Sequence, residues 1–535
     1  MKTPSDDLFR LVKSLDTQEK VYFKAFGAKK NQGKDSLGYM KLFDVVDKLK
    51  VNDEAILRAN LAKKGFNYNL KNAKEQLTEA IYKSLAEFHS GQSITRQLQN
   101  LIYYAELLYG KRLNKPAGNL VKKVEKLALQ YEQYNYLLIT NSIKLSAIRQ
   151  TQNIGEIEQY VKKEIDKERH YFDCLKNISN YNNIALRLEK LEHTYATGSA
   201  TKNNELIRII NLDLLKSPDK ALTFSSLHQY YFIHFLLYKL TGSGNKEAYI
   251  KQKEWLKYLE SKKDELKFRA GNYIGVLARL VTIMVHLRLD KELEATFSKA
   301  KRFLEGLSSK TQTKSLKSAF MSLTINYIGG QNSFNKPAQS IQSWENIKHI
   351  VTFETLSDSI KMVLCGNLFH SYFLVQNFHE ALNYLNKIIN SKTQNRLDIL
   401  NHARFYLLMT HYELENVEFL PYMTRATRRS LLKAQTLVSE YDKCILNYFE
   451  RVLPKIRNKQ EEKETFKKWR QELDNIPGKS VLYSEIENFD FILWIESKIQ
   501  QRNFADILKE TGMKKKYYKL GSRHLRLRRR IIGFV

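Results

Sequence analysis

The densest chemistry in the chain is a run of cations near its end. Between Arg502 and Val535 eleven lysines and arginines stand against only Asp506 and Glu510. Lys514, Lys515, Lys516, Arg523, Arg526, Arg528, Arg529 and Arg530 form its core, with Tyr517, Tyr518, Leu525 and Leu527 interleaved. Cations in such a run neutralise phosphates and release counterions, while aromatic and apolar side chains stack beside them. Three uses follow: contact with a polyanion such as nucleic acid, docking on an acidic partner or groove, or a solvated terminal tail. The chain holds an acidic candidate of its own. Glu485, Glu487, Asp490 and Glu496 flank Phe491-Ile492-Leu493-Trp494-Ile495, an apolar run that some surface must bury. A second stripe, Arg425, Arg429 and Lys433 at i, i+4 and i+8 with Arg428 beside it, lies on one helical face. Like charges at that spacing repel, so the stripe points to an anionic contact.

Other reactive types are scattered. No two histidines stand three or four apart, so the paired ligands of a helical zinc site are absent. His170 and Cys174 share a helix face, as do Glu189 and His193, but two ligands do not make a site. Pro477-Gly478-Lys479-Ser480 holds the end of a phosphate loop, yet the position that needs glycine is Leu473. Gly242-Ser243-Gly244-Asn245-Lys246 follows a helical pattern and reads as an inter-helix loop. The nucleophile-elbow spacing of serine between glycines does not occur. No catalytic residue, metal ligand or cofactor contact is named on this basis, and the expectation is a protein that is not an enzyme.

The elements that carry these residues are legible from composition. Across 535 residues there are only 21 glycines and 7 prolines, which argues against sheet corners and glycine-rich nucleotide loops. Apolar content of 43% and charged content of 27% are those of a folded chain long enough to bury a large core. The net charge of +31 accompanies abundant Lys, Asn, Ile and Tyr, so part of it is diffuse excess rather than a binding surface. The first residues lack an apolar segment of the secretory kind, and Tyr230 to Tyr238, the longest apolar run, is interrupted by His234 and falls short of the roughly 20 residues a bilayer requires. Cys174, Cys365 and Cys444 offer no disulfide framework. These features predict a cytoplasmic protein without a transmembrane segment, its oligomeric state open.

Helical punctuation recurs. Thr3-Pro4-Ser5-Asp6 reads as a cap with proline at the first helical position, and Asp16-Thr17-Gln18-Glu19 as a capping box opening a helix through Phe23 and Phe26. Ala73, Leu77, Ala80, Ile81, Leu85 and Phe88 form one apolar stripe ending near Ser90-Gly91. Tyr230 to Leu237 is apolar all round, as in a helix covered on both sides. Within the first 95 residues, Leu42 to Leu49, Asn52 to Ala62 and Leu70 to Phe88 predict three helices. The third either belongs to a capping bundle or presents Lys71, Asn72, Lys74 and Glu75 to a DNA groove, although its connection, Lys63 to Asn69, is long for a helix-turn-helix.

Leu368, Phe369, Tyr372, Phe378, Ala381 and Leu385 set an aromatic–turn–aromatic–small order around a turn at Gln376 to Glu380. This unit resembles a tetratricopeptide repeat (TPR), with Phe369 where that family usually has a small residue. Tyr327, Phe334, Ala338, Ile341 and Trp344 repeat the order, as do Tyr412, Val417, Phe419 and Leu420, at spacings of 45 and 40 against the family's period of about 34. Leu8 to Phe26 resembles the opening of bacterial helical-repeat proteins, a likeness that carries no function. The resemblance implies an all-α chain, a TPR-like α-solenoid built as a right-handed superhelix of antiparallel helix pairs, with an N-terminal helical cap. The expected divisions are a bundle over 1–95, repeats over 96–455, a helical segment over 456–501 and the basic tail over 502–535. Such a fold implies a scaffold that holds a protein or peptide partner on its concave face. The alternative is a nucleic-acid-associated regulator that uses the basic tail, the N-terminal bundle or both.

Overall fold

The computed structural model describes residues 6–30, 36–89, 93–151, 154–195, 203–242, 244–308, 311–350, 353, 356–391, 397–433, 439–476 and 491–510. Every element among them is a helix, and no strand occurs. The chain divides into two compact units, Met1–Ile178 and Ser179–Val535.

In the first unit, α1 (Asp7–Ser14), α2 (Thr17–Lys30), α3 (Ser36–Lys48), α4 (Glu54–Lys63) and α5 (Leu70–Phe88) form a bundle. Local chemistry sets its boundaries. The Asp16 amide donates to Glu19 Oε2 and the Glu19 amide to Asp16 Oδ1, both at 2.8 Å, which is the expected reciprocal box. Asp53 caps α4 through the amides of Ala55 and Ile56, and Asn69 caps α5 through that of Asn72. The turn after α4 uses Gly65 at φ 61°, a left-handed conformation that costs glycine nothing. Val12, Phe23, Leu42, Phe43, Leu57, Ala73, Leu77 and Ile81 close a core of their own. Thr3 to Ser5 and Ser90-Gly91 lie outside the described residues. Next come α6 (Ile94–Gly110), α7 (Asn114–Gln130), α8 (Tyr134–Thr151) and α9 (Ile154–Tyr195), around a second core of Leu98, Val124, Ala128, Leu137 and Tyr171. The division between the units falls within α9, a helix of 42 residues.

The second unit continues with α10 (Asn203–Ile210), α11 (Phe224–Thr241), α12 (Asn245–Ser261), α13 (Lys263–Leu266), α14 (Ala270–Leu287), α15 (Asp290–Glu305), α16 (Lys314–Ser333) and α17 (Pro337–Glu345). After these come α18 (Asp358–Leu374), α19 (Phe378–Ile389), α20 (Leu397–Glu413), α21 (Leu420–Lys433), α22 (Glu440–Asn447), α23 (Lys459–Asn475) and α24 (Phe491–Gln500). From α14 to α21 each helix packs on the next, and α14, α16, α18 and α20 also pack in succession on one another. One turn recurs within this series. Arg288, Asn335, Gln376 and Glu415 take left-handed φ between 58° and 60°, each just after the first helix of a pair. The amide that follows each of them bonds back to a carbonyl five residues earlier: Leu289 to Met284, Lys336 to Gln331, Asn377 to Tyr372 and Asn416 to His411. The turn closing the expected repeat is therefore shorter than Gln376 to Glu380. Helix α19 already begins at Phe378, because Asn377 caps it through the Glu380 amide at 3.2 Å.

Helices α14 and α16 approach each other closely. A Cβ on Gly330 would stand 2.6 Å from Val285 Cγ2, so only glycine admits that approach. By length and composition α14 would reach across a bilayer, with a window of mean hydropathy 1.4. A search for uninterrupted apolar runs misses it, because Gly271, Asn272, Gly275 and Arg279 punctuate it. Its Tyr273, Ile274, Leu277, Leu280 and Met284 are buried among neighbouring helices, as in the core helix of a folded unit. At the far end Phe491, Trp494 and Ile495 are buried with Phe449, Phe466 and Trp469, so the apolar run of α24 has found its cover.

Candidate functional site

Succession of first helices in the series brings polar side chains of α14, α16 and α18 side by side. Asn326 on α16 donates Nδ2 to Thr282 Oγ1 on α14 at 3.1 Å, and Asn367 on α18 donates to the Ile325 carbonyl at 3.0 Å. Asn332 is a hub. Its Nδ2 donates to the Asn367 carbonyl at 2.9 Å, and its Oδ1 accepts from Ser340 at 3.0 Å and Ser371 at 2.9 Å, joining α16, α17 and α18. Asn326 and Ser322, one turn apart, keep an exposed position on α16. A helix face tied this way holds its register while leaving amide groups at the surface.

Between α15, α16 and α17 lies a cleft of about 300 Å³, lined by Ser298, Gln339, Gln342, Ser343 and Asn346 among others. Amides and hydroxyls both donate and accept, the complement of a peptide main chain. Its floor is fixed by Tyr327, stacked on Phe297 with ring centroids 4.0 Å apart. The Tyr327 hydroxyl donates to Glu294 and accepts from Gln331 Nε2 at 2.7 Å. Burial, then the Glu294 carboxylate, pushes the Tyr327 phenol well above its ordinary range, so this hydroxyl holds its proton and serves as architecture.

Of the residues marked from sequence, the repeat set comes together. Leu368, Phe369, Ala381 and Leu385 are buried, and Tyr372, half-buried, stacks on Tyr384 at 5.5 Å. Phe369, the departure from the family pattern, fills its place by stacking on Tyr406 of α20 at 5.1 Å. Arg425 and Arg429 are exposed on α21 and make no ion pair among the described residues, whereas Arg428 turns inward to Glu450 at 3.3 Å. Exposed Tyr422 precedes Arg425 on the same face. Lys433 ends α21 and its side chain lies outside the description, as do Lys514, Lys515, Lys516, Arg523, Arg526, Arg528, Arg529 and Arg530. Gly478-Lys479-Ser480 and Glu485, Glu487 and Asp490 lie outside the described residues too. Glu496 is described and pairs with Arg470 at 3.2 Å.

On α5, Lys71, Asn72 and Glu75 are exposed, while Lys74 lies 3.7 Å from Glu54. Cys174 touches His170 Nε2 at 3.5 Å, and among the described residues no three His, Cys, Asp or Glu side chains converge. Sequence reading missed Arg279, which lies buried in α14. Its signal was present, since it is the one Lys, Arg, Asp or Glu between Ala270 and Leu287. Comparison with protein-family models, with curated proteins and with solved structures finds no match for this chain.

Proposed function

We propose that the chain is a non-enzymatic, cytoplasmic interaction protein: a TPR-like α-solenoid that holds a protein or peptide partner along its concave face. The observation that carries this reading is the turn repeated at Arg288, Asn335, Gln376 and Glu415, each joining one helix pair in a series that packs by neighbours. Pairs stacked in this manner bury their stripes against each other and leave an elongated face, which suits an extended chain better than a small substrate. Exposed Ser322 and Asn326, together with the amide-lined cleft, supply the hydrogen-bonding groups a main chain needs. Affinity capture from lysate, with and without nuclease, tests the reading. A reproducible protein partner that survives nuclease and weakens with Asn326→Arg supports it. A partner set made only of ribosomal proteins and lost with nuclease counts against it.

A second reading, nucleic-acid association, is favoured by Arg425 and Arg429 beside Tyr422: two exposed cations, without an ion pair among the described residues, next to an aromatic, the pairing that strands recognise. Binding to a single-stranded oligonucleotide that weakens steeply with salt, and weakens further when Arg425, Arg429 and Arg523 to Arg530 become glutamine, supports it. Absence of binding at low salt removes it.

A further inference from the structure

Three buried nitrogens at one junction of the second unit have no hydrogen-bond partner among the described residues. Arg279 on α14 is only 8% exposed, and its Nη2 is sealed from solvent with no partner among the described residues. Its Nε donates to Gln252 Oε1 at 2.8 Å, and Gln252 is itself fixed by donating Nε2 to the Tyr231 carbonyl at 2.7 Å. Trp255, one turn beyond Gln252 on α12, is fully buried with Nε1 unbonded. His228 on α11 lies 5.7 Å from the Trp255 ring and buries an unbonded Nδ1. Phe232, one turn along α11 from His228, brings its ring within 5.5 Å of the guanidinium carbon. Gly275, one turn before Arg279, lies beside the guanidinium: a Cβ there would meet Nη1 at 3.6 Å, an ordinary contact distance.

A guanidinium withdrawn from water needs a counter-charge, and among the described residues Arg279 has none within ion-pair reach. Burial, then the charge of Arg279, pushes His228 down to about 3, so the imidazole is neutral near neutral pH. Burial also lowers Arg279 to about 9, still above neutrality, which leaves the junction one positive charge. A monoanion balances that charge; a phosphate dianion would leave one negative charge buried in its place. The planar fork of a guanidinium matches the two oxygens of a carboxylate.

We infer that the α11–α12–α14 junction binds a carboxylate group, with Arg279 as its anchor, Gln252 as a positioning residue that aims the fork, and Trp255 Nε1 and His228 as neutral partners. The carboxylate arrives either on a small free acid or on an acidic side chain of a peptide. Thermal unfolding and tryptophan emission of the full chain, titrated with sodium acetate against sodium chloride at equal ionic strength, decide the matter. A saturable rise of several degrees in acetate, larger than in phosphate, is expected in the wild type. In Arg279→Met the rise disappears while the acetate-free Tm stays equal or climbs. Arg279→Lys keeps the charge without the fork and weakens the acetate response by about tenfold or more. A capped peptide with a single glutamate that reproduces the acetate response shows that the group can arrive on a chain; a response to acetate alone assigns the site to a free acid. Identical wild-type melting in acetate and chloride overturns the inference without need of any variant, as does an acetate response retained in Arg279→Met or exceeded by phosphate. None of these readouts needs a protein partner, so the outcome is separate from that of the capture experiment.

Discussion

The N-terminal bundle and the stacked series of the second unit fill their interiors in opposite ways. Among the described residues between 6 and 88, Ser84 is the one buried polar side chain, and the rest of the core is aliphatic and aromatic. Its charges sit outside, as in Arg58 with Glu54 and Lys83 with Glu79. The series buries Arg279, Gln331, Asn332, Ser340, His370 and Ser371 along with its apolar stripes, and Gln252 is buried on neighbouring α12. An apolar core gains stability from area and shape and tolerates many arrangements of similar volume. A core threaded with directional bonds loses stability to desolvation and gains one register. The bundle is thus built to hold together, while the series is built to hold particular side chains in particular places.

The contrast breaks first at its apolar end. Leu77 on α5 is fully buried, so Leu77→Ala removes apolar area and leaves a cavity, costing the bundle about 2–5 kcal/mol. Amide hydrogen exchange should accelerate across α1 to α5 and stay unchanged across α14 to α18. Equal acceleration in both regions would mean that they do not hold their stability separately. In the series the corresponding weak point is polar. Asn332→Leu keeps the volume and discards three hydrogen bonds among α16, α17 and α18, at a cost of about 1–3 kcal/mol. A double-mutant cycle with Ser371→Ala should return a coupling energy, and strict additivity would show that the hub is decoration.

Acid separates the two regions by mechanism. Burial holds His228 down to about 3 and His234 down to about 4 in the folded second unit. In the unfolded chain both protonate near the ordinary value of about 6.5. Below that pH the unfolded state binds protons that the folded state refuses, so stability falls as pH drops, until the folded values are reached. The slope approaches about 1.4 kcal/mol per pH unit for each histidine. In the bundle the depressed groups are the carboxylates of Asp6 and Glu54, held low by Arg10 and Arg58. Their contribution lasts down to the carboxylate range and is screened by salt because they are exposed. Denaturant midpoints of the second unit should therefore fall between pH 6.5 and 4.5 at any ionic strength, and His228→Asn should flatten the fall. A fall abolished by molar salt would assign it to surface pairs instead.

How much of this was readable in the chain depends on sequence distance. The Asp16–Glu19 box, the stripe of α5 and the α18–α19 pair are fixed by residues within a turn or two of each other, and each formed where the pattern placed it, save that α19 opens inside the expected turn, at Phe378. The apolar run of α24 announced that it needed cover without naming Trp469 or Phe449 as the cover. Arg279 stood in plain view inside an apolar helix, but its burial depends on α11 and α12, helices that local periodicity cannot place beside it. Asn332 was invisible for the same reason, since its partners lie 8, 35 and 39 residues away.

The smallest effect concerns the turns, which escaped notice because they lack the usual residue. The bundle turns after α4 on Gly65, whereas the series turns on Arg288, Asn335, Gln376 and Glu415 in the same left-handed conformation. For a residue with a Cβ that conformation costs roughly 1–2 kcal/mol, and glycine at the position after a helix relieves it. Glycine also loosens the unfolded chain, which returns part of the gain. Gln376→Gly should therefore stabilise the series by no more than about 1 kcal/mol, read as a higher denaturant midpoint with an unchanged slope. The matching change in the bundle, Gly65→Gln, should destabilise it by a similar amount. If Gln376→Gly were destabilising instead, the side chain of Gln376 would be holding the turn through a contact, and the repeat would be specified at its turns as well as in its buried stripes.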